Sequence, residues 1–436
     1  MIIGIDASRA NRDHKSGTEW YSYYLIKYFA RIDSENQYIL YTDKPLKDGL
    51  LDLTYQDLAY EGEDNKPEYD KDGYQIIKSP YNNFKACVLH WPFHCFWTLG
   101  RLSIKMIFDK PDILFVPAHT LPLIHPKKTI NTIHDVSFRN KENGQCSEDK
   151  RLGPSRSLFL RSVVNFLVRI FTCGKYSSGS LDYFDWSVCF ALKHASKILT
   201  VSNFSRENIL KIYSNCGKKD QARNEKLKVV HNGFANFLYK KDLDESKVEE
   251  VLVRNGIKKP YILYIGKLEN KKNTPLLIEA FAKVRYLNKN IKEKLVLAGN
   301  ASFGYDEVKY IINEYHLEED VSILGWLNEI NLAYIVHAAT AFIFPSRQEG
   351  FGIPILQAMN SGVPLVISDI PVFHEIADGA ALFFNPARKE DLAEAIEKII
   401  TDEPLRQALI EKGLERAKDF SWEKCARETL QEILSA

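Results

Sequence analysis

Short apolar runs alternate with helix-period patterns along almost the whole chain. Ile2–Ile5, Tyr38–Tyr41, Ile113–Val116, Thr129–Ile133, Lys197–Val201 and Lys228–His231 predict a first series of strands. A second series runs through Tyr261–Ile265, Lys294–Ala298, Val321–Leu324, Ala341–Phe344, Pro364–Ile367 and Ala381–Phe384. Between them lie stretches such as Pro275–Val284, where Leu277, Ala280, Phe281 and Val284 share one helical face. Strands that alternate with helices favour parallel sheets covered on both faces. Asn232-Gly233 punctuates the chain where the first series ends, and the charged segment Lys240–Glu250 carries few large apolar residues. The pattern therefore predicts an α/β chain of two Rossmann-like, doubly wound domains facing a cleft, residues 1–240 and 241–419. A length of 436 residues agrees, being too long for one ordinary core.

Two segments break the rhythm. Residues 46–73 are polar and predict an exposed excursion. Residues 139–185 open with a polar run, pass through a Phe/Leu/Val-rich stretch at 155–171 that carries Arg161 and Arg169, and end in a Gly/Ser-rich segment. That stretch reads either as a surface helix or as a helix resting on an anionic membrane face. Charge and cysteines narrow the class further. With 58 basic and 57 acidic residues the net charge is +1, which gives no reason to expect a nucleic-acid partner. Seven scattered cysteines without a CxxC pair favour reduced thiols and an intracellular, cytoplasmic setting over a disulfide framework. The N-terminus lacks a signal-peptide pattern and no apolar run reaches spanning length.

The chemistry concentrates in four loops. In Pro345–Pro364 a buried strand leads to Glu349, then to Gly350, Phe351, Gly352 and Ile353, and into a helix that begins near Pro354 and carries Gln357. Free N–H groups at such a helix start suit a phosphate, while the carboxylate can take hydroxyl groups. The loop after Ile265 gathers Gly266, Lys267, Lys271 and Lys272 at the carboxyl end of a strand; it can neutralise an anion or serve as a solvated loop. His134 and Asp135 leave the strand Thr129–Ile133 at the corresponding end, as a ligand-contacting pair or a capping turn. Gly17 opens the helix after the first strand. Cys87, His90, His94 and Cys95 lie in an aromatic packing segment whose spacing does not fit zinc, so no metal is expected. The absence of GxSxG and GxxxxGK[ST] motifs disfavours hydrolase and phosphoryl-transfer chemistry.

Taken together, these motifs resemble the retaining, GT-B-fold glycosyltransferases of family 4, also called glycosyltransferase group 1. The resemblance extends over IGIDAS, SGT, DILFVPAH (112–119), TIHDVSF (132–138), ILTVSNFS (198–205), KVVHNGF (228–234), YIGKLENKKN (264–273), EGFGIPILQAM (349–359) and FSWEKCARETL (420–430). It implies transfer of a hexose-type sugar from a nucleotide-diphosphate sugar to a hydroxyl of a saccharide or lipid-linked saccharide acceptor, without a cofactor and with retained configuration. It implies that Gly17 lies near the donor diphosphate, that His134 contacts the transferred sugar with Asp135 beside it, and that Lys267 and Lys272 bind the diphosphate. Glu349 would hold sugar hydroxyls, helped by the Gly350–Ile353 backbone, and Gly325, Trp326 and Leu327 would border the base. The last segment, 420–436, would cross back to the first domain. Two positions depart from the family pattern. Lys267 stands where arginine is frequent, and Gln357 replaces the second glutamate, an amide in place of a ribose-binding carboxylate. That second departure keeps open a catalytically inactive binding scaffold, and the fold also admits an epimerase or phosphorylase acting on nucleotide sugars.

Overall fold

A computed structural model describes residues 1–53, 67–91, 96–136, 179–216, 220–302 and 304–436. The described residues form two compact units: those up to Asn232 together with Trp422–Ala436, and Gly233–Ser421.

The first unit is built on a parallel sheet of β1 (Ile2–Asp6), β2 (Gln37–Thr42), β3 (Phe84–Val88), β4 (Ile113–Val116), β5 (Thr129–Ile133), β6 (Lys197–Thr200) and β7 (Leu227–Val229). Their order is β3-β2-β1-β4-β5-β6-β7, so the winding reverses between β1 and β4. Strands buried on both faces read as continuous apolar runs, and Ile113 to Val116 are fully buried. The helices are α1 (Gly17–Ile32), α2 (Ser103–Phe108), α3 (Ser180–His194), α4 (Asn203–Ile212) and α5 (Asp220–Lys226).

The second unit has the sheet β8 (Tyr261–Ile265), β9 (Lys294–Ala298), β10 (Val321–Gly325), β11 (Ala341–Phe344), β12 (Leu365–Ser368) and β13 (Leu382–Phe384). Its order is β10-β9-β8-β11-β12-β13, parallel throughout, with the reversal between β8 and β11. Around it lie α6 (Glu245–Arg254), α7 (Thr274–Leu287), α8 (Tyr305–Glu314), α9 (Glu329–His337), α10 (Ile353–Asn360), α11 (Pro371–Ala377), α12 (Lys389–Thr401) and α13 (Glu403–Ala417). The last helix, α14 (Trp422–Leu434), packs in the first unit against α1, where the Trp422 ring stacks on Tyr24 at 5.2 Å and meets Tyr21 edge-on at 6.2 Å.

The twelve strands read from the apolar runs are present, their ends within a few residues of the expected ones, and β3 is an addition. β3 is an edge strand with Lys85 exposed, so its five residues form no continuous apolar run. The cysteines also differ from the expectation of reduced thiols. Cys189 on α3 and Cys216, just beyond α4, form a disulfide across a Cα–Cα distance of 5.3 Å. The two helices meet there, and Tyr213 donates to Asp185 at 2.7 Å beside it. Residues 155–171, residues 54–66 of the 46–73 excursion, and His94 and Cys95 lie outside the described residues. Among the described residues no helix is long and apolar enough to cross a membrane, and no group of three His, Cys, Asp or Glu side chains is placed to hold a metal ion.

Candidate active site

In each sheet the reversal in strand order splays the loops at the carboxyl ends apart, which is where open α/β sheets bind ligands. In the second unit these loops follow β8 and β11. The loop after β8 folds tightly because two glycine backbones meet: a Cβ on Gly299 would stand 1.9 Å from the Gly266 carbonyl oxygen. The buried Tyr264 hydroxyl then donates to the Lys267 carbonyl at 2.9 Å, and Leu268 N–H donates to the Asn300 carbonyl at 3.0 Å. Asn273, in the left-handed region, ends the loop and begins α7, and its side-chain amide donates to the Pro386 carbonyl at 2.8 Å.

The loop after β11 is joined to this one. Arg347 N–H donates to the Lys271 carbonyl at 3.3 Å, and the Arg347 guanidinium donates to Asn273 Oδ1 at 3.0 Å. Lys272 Nζ donates to Glu349 Oε1, and the ammonium lies 5.7 Å from the centre of the Phe344 ring. The pair is largely shielded, with side chains 20% and 12% exposed. Each charge therefore depends on the other, and removal of one strands its partner. The structure thus brings Lys272, Lys271 and Glu349 together. Lys267 is exposed and has no ion-pair partner among the described residues.

Gly350, Phe351 and Gly352 lead into α10. Gly352 sits at φ 110° as its N-cap, a conformation closed to other residues, and a Cβ there would press on Ile355 and Phe373 at 3.1 and 3.3 Å. Ile353 and Pro354 form the first turn; Pro354 has no N–H and Ile355 N–H donates to the Gly352 carbonyl at 3.0 Å, so this helix end offers the Ile353 N–H and the positive end of the helix dipole. Gln357, one turn on, is buried at 5% exposure. Trp326 and Leu327 follow β10, with Trp326 44% exposed. Two positions after them Glu329 begins α9. Burial pushes its carboxyl up to about 7, against the opposing hydrogen bond from the Tyr239 hydroxyl at 3.3 Å.

The first unit's edge has a different character. His134 follows β5 and is clamped: its Nε2 lies 3.3 Å from the Pro117 carbonyl, its ring meets Tyr21 edge-on at 4.8 Å, and its carbonyl accepts from Ser205 Oγ at 3.1 Å. Loss of solvation pushes its pKa down to about 4; the Pro117 carbonyl opposes this, the Arg9 charge adds to it, and Asp135 opposes it. The ring is neutral at pH 7. The Pro117 carbonyl accepts only, so Nε2 carries the proton and Nδ1 is left to accept a hydrogen bond. His119, which follows β4 at the reversal, was not singled out from the sequence. Its pKa is pushed down to about 3, again by loss of solvation first and then by Arg9 and His134, and its Nε2 is buried with no hydrogen-bond partner among the described residues.

Gly17 is the first residue of α1, and nothing lies within 4 Å of where a Cβ would be. Glu19 reaches back to Ser16 N–H at 3.2 Å and accepts from Arg9 Nη1 at 3.2 Å. Burial would raise the Glu19 carboxyl, but the Ser16 hydrogen bonds and the Arg9 charge hold it below the usual range. Asp6, ending β1, accepts from Ser8 Oγ at 2.6 Å and Thr98 Oγ1 at 3.1 Å, and burial pushes its carboxyl upward.

Two doubly wound parallel sheets, each with its loops gathered at a reversal, define the GT-B fold. The sucrose-phosphate synthase structure from Thermosynechococcus elongatus shares it, with a TM-score of 0.67 at 16% identity over 100% of this chain and 98% of that one. Residues 248–416, inside the second unit, match the family of glycosyl transferases group 1. The chain is 30% identical over 273 residues to O-antigen chain mannosyltransferase B of Escherichia coli, covering 62% of this chain and 69% of that protein. It is 25% identical over 339 residues to O-antigen chain mannosyltransferase RfbU of Salmonella typhimurium, covering 76% and 78%. The chain belongs to the group 1 glycosyltransferases.

Proposed function

We propose that this glycosyltransferase moves a mannosyl or closely related hexosyl group from a nucleotide-diphosphate sugar to a hydroxyl of a growing, lipid-linked surface polysaccharide, with retained anomeric configuration. The observation that carries the reading is the shielded Lys272–Glu349 pair in the loops that lead into α7 and α10. The ammonium and the helix N-terminus suit the departing diphosphate, and the carboxylate suits sugar hydroxyls. Lys271 and the exposed Lys267 add positive charge, Trp326 and Leu327 border the base, and Gln357 accepts from the ribose. Gly17 leaves the α1 backbone open to the diphosphate. His134, with Asp135 beside it, accepts through Nδ1 from a hydroxyl of the transferred sugar. In this reading the leaving diphosphate takes the acceptor proton on the face it vacates, and lysines with helix dipoles carry the charge that a metal carries in other transferases. The mannosyl assignment draws on the names of the two relatives. A cytoplasmic setting, at the inner membrane face where nucleotide sugars and lipid-linked acceptors meet, accords with it.

The test incubates the enzyme with GDP-mannose and with UDP, TDP and ADP sugars, with and without EDTA, and reads the product's anomeric configuration by proton NMR. Transfer from GDP-mannose with the α configuration kept, undiminished by EDTA, is expected. An inverted product overturns the retaining assignment. Binding without turnover, which the amide at Gln357 would accompany in an inactive scaffold, overturns the enzyme assignment.

A further inference from the structure

The amino end of the first sheet, remote from the loops that carry His134, exposes an unusual surface. On α2, Ile104, Ile107 and Phe108 are 47%, 48% and 78% exposed, while Ser103 and Met106 are buried. Spacings of three and four put the exposed residues on one helical face. The loop before β5 adds Leu123 and Ile124, 52% and 47% exposed. Leu123 N–H donates to Ser103 Oγ at 2.8 Å, which holds that loop against the start of α2.

Basic residues border this apolar surface. The chain enters β4 from Lys110 and β5 from Lys127 and Lys128, and Leu114 pairs with Thr129, so the three lysines stand at the same end of neighbouring strands. All three are exposed, and none has an acidic partner among the described residues. The nearby carboxylates are occupied: Lys105 holds Asp109 at 3.1 Å, and Asp112 accepts from Ile2 N–H at 2.7 Å. Clustered exposed aliphatic and aromatic side chains need a covering partner, and unpaired lysines around them select an anionic one.

We propose that this face docks on a bilayer containing anionic lipid, with Ile107 and Phe108 entering the headgroup–acyl boundary and Lys110, Lys127 and Lys128 against the lipid phosphates. The surface is separate from residues 155–171, and docking stands independently of the donor assignment because it is measured without turnover.

The experiment sediments the full chain with vesicles of phosphatidylcholine alone and of phosphatidylcholine with phosphatidylglycerol. Wild type is expected on the phosphatidylglycerol vesicles, far less on phosphatidylcholine, and released by salt. Ile107→Glu/Phe108→Glu and Lys110→Glu/Lys127→Glu/Lys128→Glu should each lower the bound-to-free ratio at least about tenfold, since each lysine near an anionic surface is worth roughly fivefold. Both variants alter exposed positions and should melt like wild type. Absence of wild-type binding, or binding retained by both variants, overturns the proposal. So does retention by both alongside loss in Arg161→Ala/Arg169→Ala, or a dimer dispersed by Phe108→Glu without vesicle binding.

Discussion

The carboxyl-end edges of the two sheets are built on the same strand reversal but handle charge in opposite ways. At the second unit's edge Lys272 and Glu349 keep both charges in a shielded place by holding each other. At the first unit's edge His134 and His119 are stripped of charge, with Arg9 reinforcing the loss. One edge is equipped for anions and hydroxyls together. The other holds two neutral imidazoles beside the Arg9–Glu19 ion pair. This division fits a reaction that expels a diphosphate from an uncharged sugar, and it can be broken residue by residue.

The largest effect is expected at Lys272. Lys272→Ala should lower kcat/KM for sugar transfer about a thousandfold, the range for removing a group that stabilises transition-state charge. It also leaves Glu349 shielded and unpaired, so the melting temperature should be read in parallel. Lys272→Ala/Glu349→Ala should melt closer to wild type and stay inactive; recovered activity in the double variant would contradict the role given to the pair.

His134 comes next. His134→Ala should cost about a hundredfold in kcat/KM through loss of one positioned hydrogen-bonding group. The wild-type ring should not titrate by NMR between about pH 5 and 8. The folded value is depressed, so the unfolded state binds the proton first. The stability from the neutral ring is complete above the unfolded value near 6.5 and is lost as pH falls toward about 4. That loss is on the order of 3 kcal/mol, read as a drop in urea midpoint. A ring proton that titrates near 6.5 would show that His134 is neither desolvated nor held as described.

Gly17→Ala separates structure from ligand. Nothing meets the added methyl and helix propensity favours alanine, so stability should hold or rise by up to about 1 kcal/mol. If the α1 backbone approaches the diphosphate, KM for the donor should still rise about tenfold. Unchanged KM would remove Gly17 from the site. The smallest effect is expected for Gln357→Glu: nucleoside diphosphates should bind a few-fold more tightly through a charge-assisted ribose contact, with a modest fall in melting temperature from placing a carboxylate at a 5% exposed position.

Much of this was legible in the sequence because parallel strands buried on both faces leave continuous apolar runs, and because the loops after β8 and β11 are local motifs. What escaped depends on pairings distant along the chain. Arg347 lies in the middle of the β11 loop, but its function is to stitch that loop to Lys271 and Asn273 more than seventy residues earlier. His119 ends a motif that carries the family resemblance, yet only the fold buries it beside His134. The Cys189–Cys216 bond spans 27 residues and needs α3 to meet the end of α4, which no spacing rule foretells. Lys267 illustrates the converse: the motif includes it, and the fold leaves it in solvent.

The central claim is that the stitched loops of the second unit grip a diphosphate through Lys272. Calorimetric titration of GDP and UDP into the full-length wild type and Lys272→Ala tests it without any acceptor. The account predicts tight binding of one of the two by wild type and a loss of about a hundredfold in Lys272→Ala, the range for a buried charge-assisted contact, while guanosine or uridine binds both proteins equally. Equal affinity of the two proteins for the diphosphate, at unchanged melting temperature, would contradict it.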